Sequence, residues 1–214
     1  MSFTPAIPEA MAITGPCGML DAIVEDPQLP LATAVAVICH PHPLHGGTMT
    51  NKVVQTLARA CNECGAPAVR FNYRGVGKSA GTYDEGRGET DDALAVIAWA
   101  RVRWPGRSIW LAGFSFGGGV ALQAALRTQV ACLVTVAPAA ARAASPTELP
   151  NCPWLLVQGD ADDVIPAELV LSWAKSLQVI PDIKVLAGAG HFFHGRLTEL
   201  RELVRQWIAH AVQS

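Results

Sequence analysis

Short runs rich in apolar and β-branched residues recur along the chain. They lie at Ala34–Cys39, Ala68–Tyr73, Ser108–Ala112, Ala131–Val136, Trp154–Gln158 and Ile183–Leu186. Each has the length of a strand and shows little alternation, the pattern of a strand covered on both faces. Between most of them the apolar positions switch to helical spacing. Val53, Val54, Leu57, Ala58 and Cys61 share one helical face, as do Ala93, Leu94, Ile97 and Ala98, and then Leu169, Val170, Trp173 and Leu177. A last stripe runs through Leu197, Leu200, Leu203, Val204, Trp207 and Ile208. Strand–helix alternation of this kind predicts an α/β fold with a mostly parallel, doubly wound sheet. The start differs: Ala12–Thr14 and Met19–Val24 flank Gly15-Pro16-Cys17-Gly18, which predicts an antiparallel hairpin at the sheet edge. Open sheets bind ligands at the carboxyl ends of their strands, so the chemistry is expected in the loops that follow these runs.

The 214 residues carry no repeat and no Ser/Gly linker, and are expected to form a single domain over 1–214. Half of them are apolar and 16% charged, which excludes a disordered chain. The net charge of −2 gives no electrostatic footprint for nucleic acid. No Lys or Arg precedes Lys52, and the longest apolar run near the start, Ala34–Cys39, is too short to span a bilayer. A cytoplasmic protein without a membrane partner is expected, its six cysteines reduced. Cys39 and Cys132 fall in apolar runs, and Cys61-Asn62-Glu63-Cys64 closes a helix just before Gly65, where a lone C-x-x-C lacks the second pair a zinc site needs.

Three loops could carry chemistry. The first, Gly113-Phe114-Ser115-Phe116-Gly117, lies between the strand Ser108–Ala112 and a helix expected over Val120–Leu126. This is G-x-S-x-G in a strand–turn–helix setting, where a sharp turn pushes the serine hydroxyl into the open. The helix N-terminus then faces a developing oxyanion, and the Phe116 N–H can donate to it. The second, Gly159-Asp160-Ala161-Asp162-Asp163-Val164-Ile165-Pro166, offers three aspartates, any of which could orient a histidine. The third, Gly188-Ala189-Gly190-His191-Phe192-Phe193-His194, puts His191 just past the last strand, placed to act as general base and then general acid. His194 is expected at the surface or behind the site. The chain order Ser, Asp, His is that of the α/β-hydrolase arrangement.

On these loops, with Cys39-His40-Pro41-His42-Pro43-Leu44-His45-Gly46-Gly47-Thr48-Met49 and Phe71-Asn72-Tyr73-Arg74-Gly75-Val76-Gly77-Lys78-Ser79, the chain resembles the small, lidless α/β serine hydrolases of bacteria over essentially its whole length. The resemblance implies an α/β-hydrolase fold without a cap domain and a triad of Ser115, Asp162 and His191. It selects Asp162 because the family's acid precedes one variable residue, two aliphatics and a proline, with Asp163 in reserve. It also implies a second oxyanion donor in the loop after the third strand, where the family commonly has His-Gly-x. Here Pro41 and Pro43 have no N–H to give, so His42 is the first candidate donor and Leu44 the next.

Two motifs point elsewhere. His40-Pro41-His42-Pro43-Leu44-His45 has H-x-H-x-x-H spacing and could cluster imidazoles for a metal-dependent hydrolase, but Leu44 stands where that signature has Asp. Asn72–Ser79 ends in Gly-Lys-Ser like a P-loop, yet lacks its first glycine and a following helix. That loop is expected to border the cleft, with Arg74 and Lys78 packing or pairing. The expected activity is hydrolysis of a small ester through an acyl-enzyme, with neither cofactor nor metal. Thioester, peptide and carbon–carbon hydrolysis use the same triad, and a non-catalytic binding protein is the further alternative. The only stretch available for a cap, Ala137–Pro153, holds enough alanine around residues 139–144 for a short helix, so an open cleft is expected. Leu44, Met49, Phe116 and Phe192 could form its apolar wall.

Overall fold

The computed structural model of the protein describes residues 8–139 and 149–212. Strands β1 (Glu9–Gly15), β2 (Gly18–Glu25), β3 (Ala34–Cys39), β4 (Ala68–Phe71), β5 (Ser108–Phe114), β6 (Cys132–Val136), β7 (Trp154–Gly159) and β8 (Asp182–Leu186) form one sheet in the order β1-β2-β4-β3-β5-β6-β7-β8. β1 and β2 make the expected hairpin and β2 meets β4 antiparallel; every later pairing is parallel. The helices are α1 (Lys52–Glu63), α2 (Arg87–Arg103), α3 (Phe116–Arg127), α4 (Ala167–Lys175) and α5 (Leu197–Ala211).

The period of two along each central strand sends successive side chains to opposite faces. On β3, Val35, Val37 and Cys39 join a core with α2, α3 and α4, whereas Ala34, Ala36 and Ile38 join a second core with α1 and α5. All six β3 residues are buried, which explains a run with no polar member. The α1 and α5 stripes pack as the spacing predicts, with Leu200, Val204 and Ile208 innermost on α5. The α2 stripe is Ala93, Val96, Ile97 and Ala100, and Ala98 is exposed.

Several boundaries differ from expectation. β5 continues through Gly113 and Phe114, which pair with β6, so the strand delivers its last residue directly to Ser115. α3 starts at Phe116 rather than Val120 because Gly117–Gly119, poor helix formers, are helical by tertiary demand. A Cβ on Gly117 would collide with the Cys39 and His40 carbonyl oxygens, and one on Gly113 with the Gly117 backbone. β4 ends at Phe71, and Asn72 turns away, its N–H donating to the Asp21 carbonyl. Between β6 and β7 the described residues add no further element. The short helix expected around 139–144 lies, from 140 onward, outside the described residues.

Candidate active site

The functional loops meet at the carboxyl edge of the sheet. Ser115 sits between β5 and α3 with φ 56° and ψ −120°, a conformation costing a non-glycine residue roughly 1–3 kcal/mol. Four backbone hydrogen bonds hold it there. Its N–H donates to Val136 O at 2.9 Å, and its carbonyl accepts from the N–H groups of Gly118 at 2.9 Å, Ala139 at 3.0 Å and Gly119 at 3.4 Å. The hydroxyl is thereby turned outward toward the cleft.

His191 follows β8. Its loop is zipped to the loop after β7: Asp160 Oδ1 accepts from Gly188 N–H, and Ala161 N–H donates to the Ala189 carbonyl. Phe193, fully buried with φ 52°, anchors the far side. The His191 imidazole is 3% exposed. Nδ1–H donates to Asp162 Oδ2 at 2.8 Å, and Nε2 lies 3.0 Å from Ser115 Oγ. Because the carboxylate can only accept, Nδ1 carries the proton and Nε2 accepts from the serine hydroxyl.

Asp162 is held by three further donors. Oδ1 accepts from Val164 N–H at 2.9 Å and Ile165 N–H at 2.7 Å, and Oδ2 also accepts from Gln158 Nε2 at 2.9 Å. Asp163 is exposed and Asp160 serves the loop, so only Asp162 of the three aspartates reaches the imidazole. Gln158, buried at the end of β7, escapes sequence reading because a lone glutamine closing an apolar strand belongs to no motif.

Phe116 is the first residue of α3, and the leading N–H groups of a helix have no intrahelical acceptor. His42 lines the same cleft, with its ring 4.8 Å from that of Phe116. Leu44 N–H donates to His42 Nδ1 at 3.3 Å, so the alternative donor is spent. Burial, with His45 beside it, holds the His42 imidazole below its ordinary pKa.

The cleft over Ser115 has a volume of about 610 Å³. Phe116 and Phe192 line it as expected. Leu44, 66% exposed, and Met49, buried, do not; Val164, Ile165, Leu169 and Val170 take their place. Leu169 is thus corrected from core helix face to cleft wall, since α4 buries Val170 and Ala174 instead. His194 is exposed.

Neither competing motif forms a site of its own. His40 donates from Nδ1 to the Pro41 carbonyl and accepts from Tyr73 N–H at Nε2, leaving neither nitrogen for a metal. Among the described residues no group of three His, Cys, Asp or Glu is placed to hold one. The Asn72–Ser79 loop does not line the cleft, contrary to expectation. It is a structural corner: Arg74 pairs with buried Asp92 at 2.8 Å, and Ser79 Oγ donates to Asn72 O. Cys61 is buried inside α1, and burial raises the Cys64 thiol at its end to about 11. No helix among the described residues is long and apolar enough to cross a membrane.

Burial pushes the His40 imidazole down from 6.5 to about 4. The unfolded chain then binds a proton here at a pH where the fold resists it. The stability tied to this group is complete above 6.5 and is lost as pH falls toward 4, by about 1.4 kcal/mol per pH unit across that window. Equilibrium unfolding from neutral to mildly acid pH should show that slope shrinking in His40→Asn; an identical slope contradicts the buried neutral imidazole.

Known proteins match both the fold and the chain's extent. The profile of the alpha/beta hydrolase fold matches residues 43–152. A solved alpha-beta serine hydrolase homologue from Coxiella burnetii is 45% identical, covers 96% of this chain and 99% of its own, and superposes with a TM-score of 0.88. A serine hydrolase without a lid from Xanthomonas campestris is 39% identical, with 98% and 97% covered and a TM-score of 0.91. An uncharacterised protein of Rickettsia prowazekii is 31% identical over 188 residues, 81% of this chain and 78% of that one. With the profile matching half of the chain and relatives of 31–45% identity covering most of both sequences, the chain belongs to the alpha/beta hydrolase family and is a hydrolase.

Proposed function

We propose that the protein hydrolyses small carboxylic esters through an acyl-enzyme, with Ser115 as nucleophile, His191 as general base and then acid, and Asp162 as the group that orients the imidazole. One observation carries this reading: the continuous hydrogen-bonded chain from Ser115 Oγ to His191 Nε2 at 3.0 Å and from His191 Nδ1 to Asp162 at 2.8 Å. Oγ attacks the ester carbonyl as its proton passes to Nε2. The tetrahedral oxyanion is held by the N–H groups of Phe116 and His42. Collapse expels the alcohol, which takes the proton from Nε2. Water then attacks the acyl-enzyme by the same route, releasing the acid and restoring Ser115. Water is the only co-reactant.

The choice of small esters rests on the cleft. Among the described residues no cap covers it, and its wall includes the apolar side chains of Val164, Ile165, Leu169 and Phe192. Aryl acetate and butyrate esters should turn over with higher kcat/KM than the palmitate ester, and faster than the matched thioesters and anilides. Preference for the long chain, or for an anilide, in a steady-state panel would replace this substrate class with another on the same triad.

A further inference from the structure

We infer that His40 is a positioning residue that aims the oxyanion hole, by fixing the plane of the Pro41–His42 peptide. The inference rests on the triad reading above and assigns a role to a buried histidine that the triad does not use.

The segment Pro41–Leu44 can present few donors. Pro41 and Pro43 have none, and the Leu44 N–H is spent on His42 Nδ1. The His42 N–H remains, and its direction is set by the peptide that contains it. That peptide is trans, so its C=O and its N–H point in opposite directions. The C=O belongs to Pro41, and His40 Nδ1–H holds it at 2.7 Å on the buried side of the loop. Pinning the Pro41 oxygen inward turns the His42 N–H outward, toward the cleft over Ser115.

The imidazole doing the pinning is itself locked. Its Nε2 accepts the Tyr73 N–H at 3.1 Å, across the boundary between β3 and the loop after β4. A backbone N–H can only donate and a carbonyl can only accept, so the neutral Nδ1–H tautomer alone satisfies both partners. The ring also packs on Tyr73, with centroids 4.1 Å apart. The far side of the loop is clamped as well. His42 O accepts from His45 N–H and Gly47 N–H, and a Cβ on Gly47 would strike the Pro41 carbonyl. His42 Nε2 lies 3.3 Å from Tyr83 Oη, a contact that steadies the ring. A peptide flip would have to break the His40 bond first.

Two substitutions separate aiming from general support. Asparagine places its amide nitrogen near the position of Nδ1 and can keep the bond to Pro41 while losing Tyr73. Glutamine reaches the position of Nε2 and can keep the acceptor for Tyr73 while losing Pro41. On a soluble aryl ester, His40→Gln should lose about 30- to 100-fold in kcat with KM within threefold of wild type, because the donor acts in the transition state. His40→Asn should retain kcat within about threefold. Wild-type kcat in His40→Gln, or equal losses in the two variants, overturns the inference. Should His40→Gln not fold, the imidazole 15N shifts of the wild-type protein decide: the neutral Nδ1–H form through the neutral pH range supports the role, and the Nε2–H form overturns it. Ser115→Ala run alongside keeps the two readings apart. Its full activity removes the triad, whereas an inactive Ser115→Ala beside an unimpaired His40→Gln removes only the role of His40.

Discussion

Replacing Ser115 by alanine should lower kcat for the proposed ester hydrolysis by a factor on the order of 10⁶, leaving only the background that binding and the proposed oxyanion donors provide. The fold is expected to tolerate the change. The Ser115 backbone is fixed through its own N–H and C=O by Val136, Gly118, Gly119 and Ala139, bonds that do not involve the hydroxyl. Alanine is no worse than serine at φ 56°. Among the described residues the hydroxyl's hydrogen-bond partner is His191 Nε2, and both line the cleft, where water can take the place of the lost oxygen. Thermal unfolding should therefore coincide with wild type while turnover vanishes. Activity within tenfold of wild type would remove Ser115 from the reaction.

Asp162→Asn should cost on the order of 10⁴ in kcat, and the hydrogen-bond network gives the reason. The Val164 and Ile165 N–H groups both point at Oδ1, so the asparagine oxygen stays with them and its NH₂ takes the place of Oδ2. That NH₂ then donates to His191 Nδ1, which forces the proton onto Nε2. An imidazole protonated there cannot accept from Ser115. The fold is expected to survive, because the asparagine oxygen keeps the Val164 and Ile165 N–H groups and Gln158 Nε2 keeps the Gly159 and Ile165 carbonyls as acceptors. Steady-state kinetics with a folded variant reads the outcome. Loss of less than tenfold would mean that the carboxylate does not set the tautomer.

The parallel sheet was readable because burial on both faces leaves unbroken apolar runs, and the sharp turn at Ser115 because Gly113 and Gly117 admit no side chain. What could not be read depends on partners distant in the chain. Gly117–Gly119 look like a helix breaker until the carbonyls of Cys39 and His40 are set against Gly117. Leu169 shares a helical stripe with Val170 and Trp173, and periodicity cannot tell that the outer edge of that stripe faces a cleft. Gln158 bonds Asp162 from a position with no pattern around it. His40 stands in a spacing that suggests a metal, and only the approach of Tyr73, 33 residues on, shows both ring nitrogens occupied. The residues alone left three aspartates open and the family resemblance selected Asp162; the geometry adds the physical reason, since the carboxylate that receives Val164 and Ile165 is the one turned to His191.

A fluorophosphonate probe tests the activated serine most directly, because it forms a covalent adduct only where a hydroxyl is primed for attack beside an oxyanion hole. Intact-protein mass spectrometry should show one adduct per chain, and peptide mapping should place it on Ser115. Labelling should disappear in Ser115→Ala and slow markedly in Asp162→Asn. An unlabelled wild-type protein, or an adduct carried by any other serine, would contradict the account.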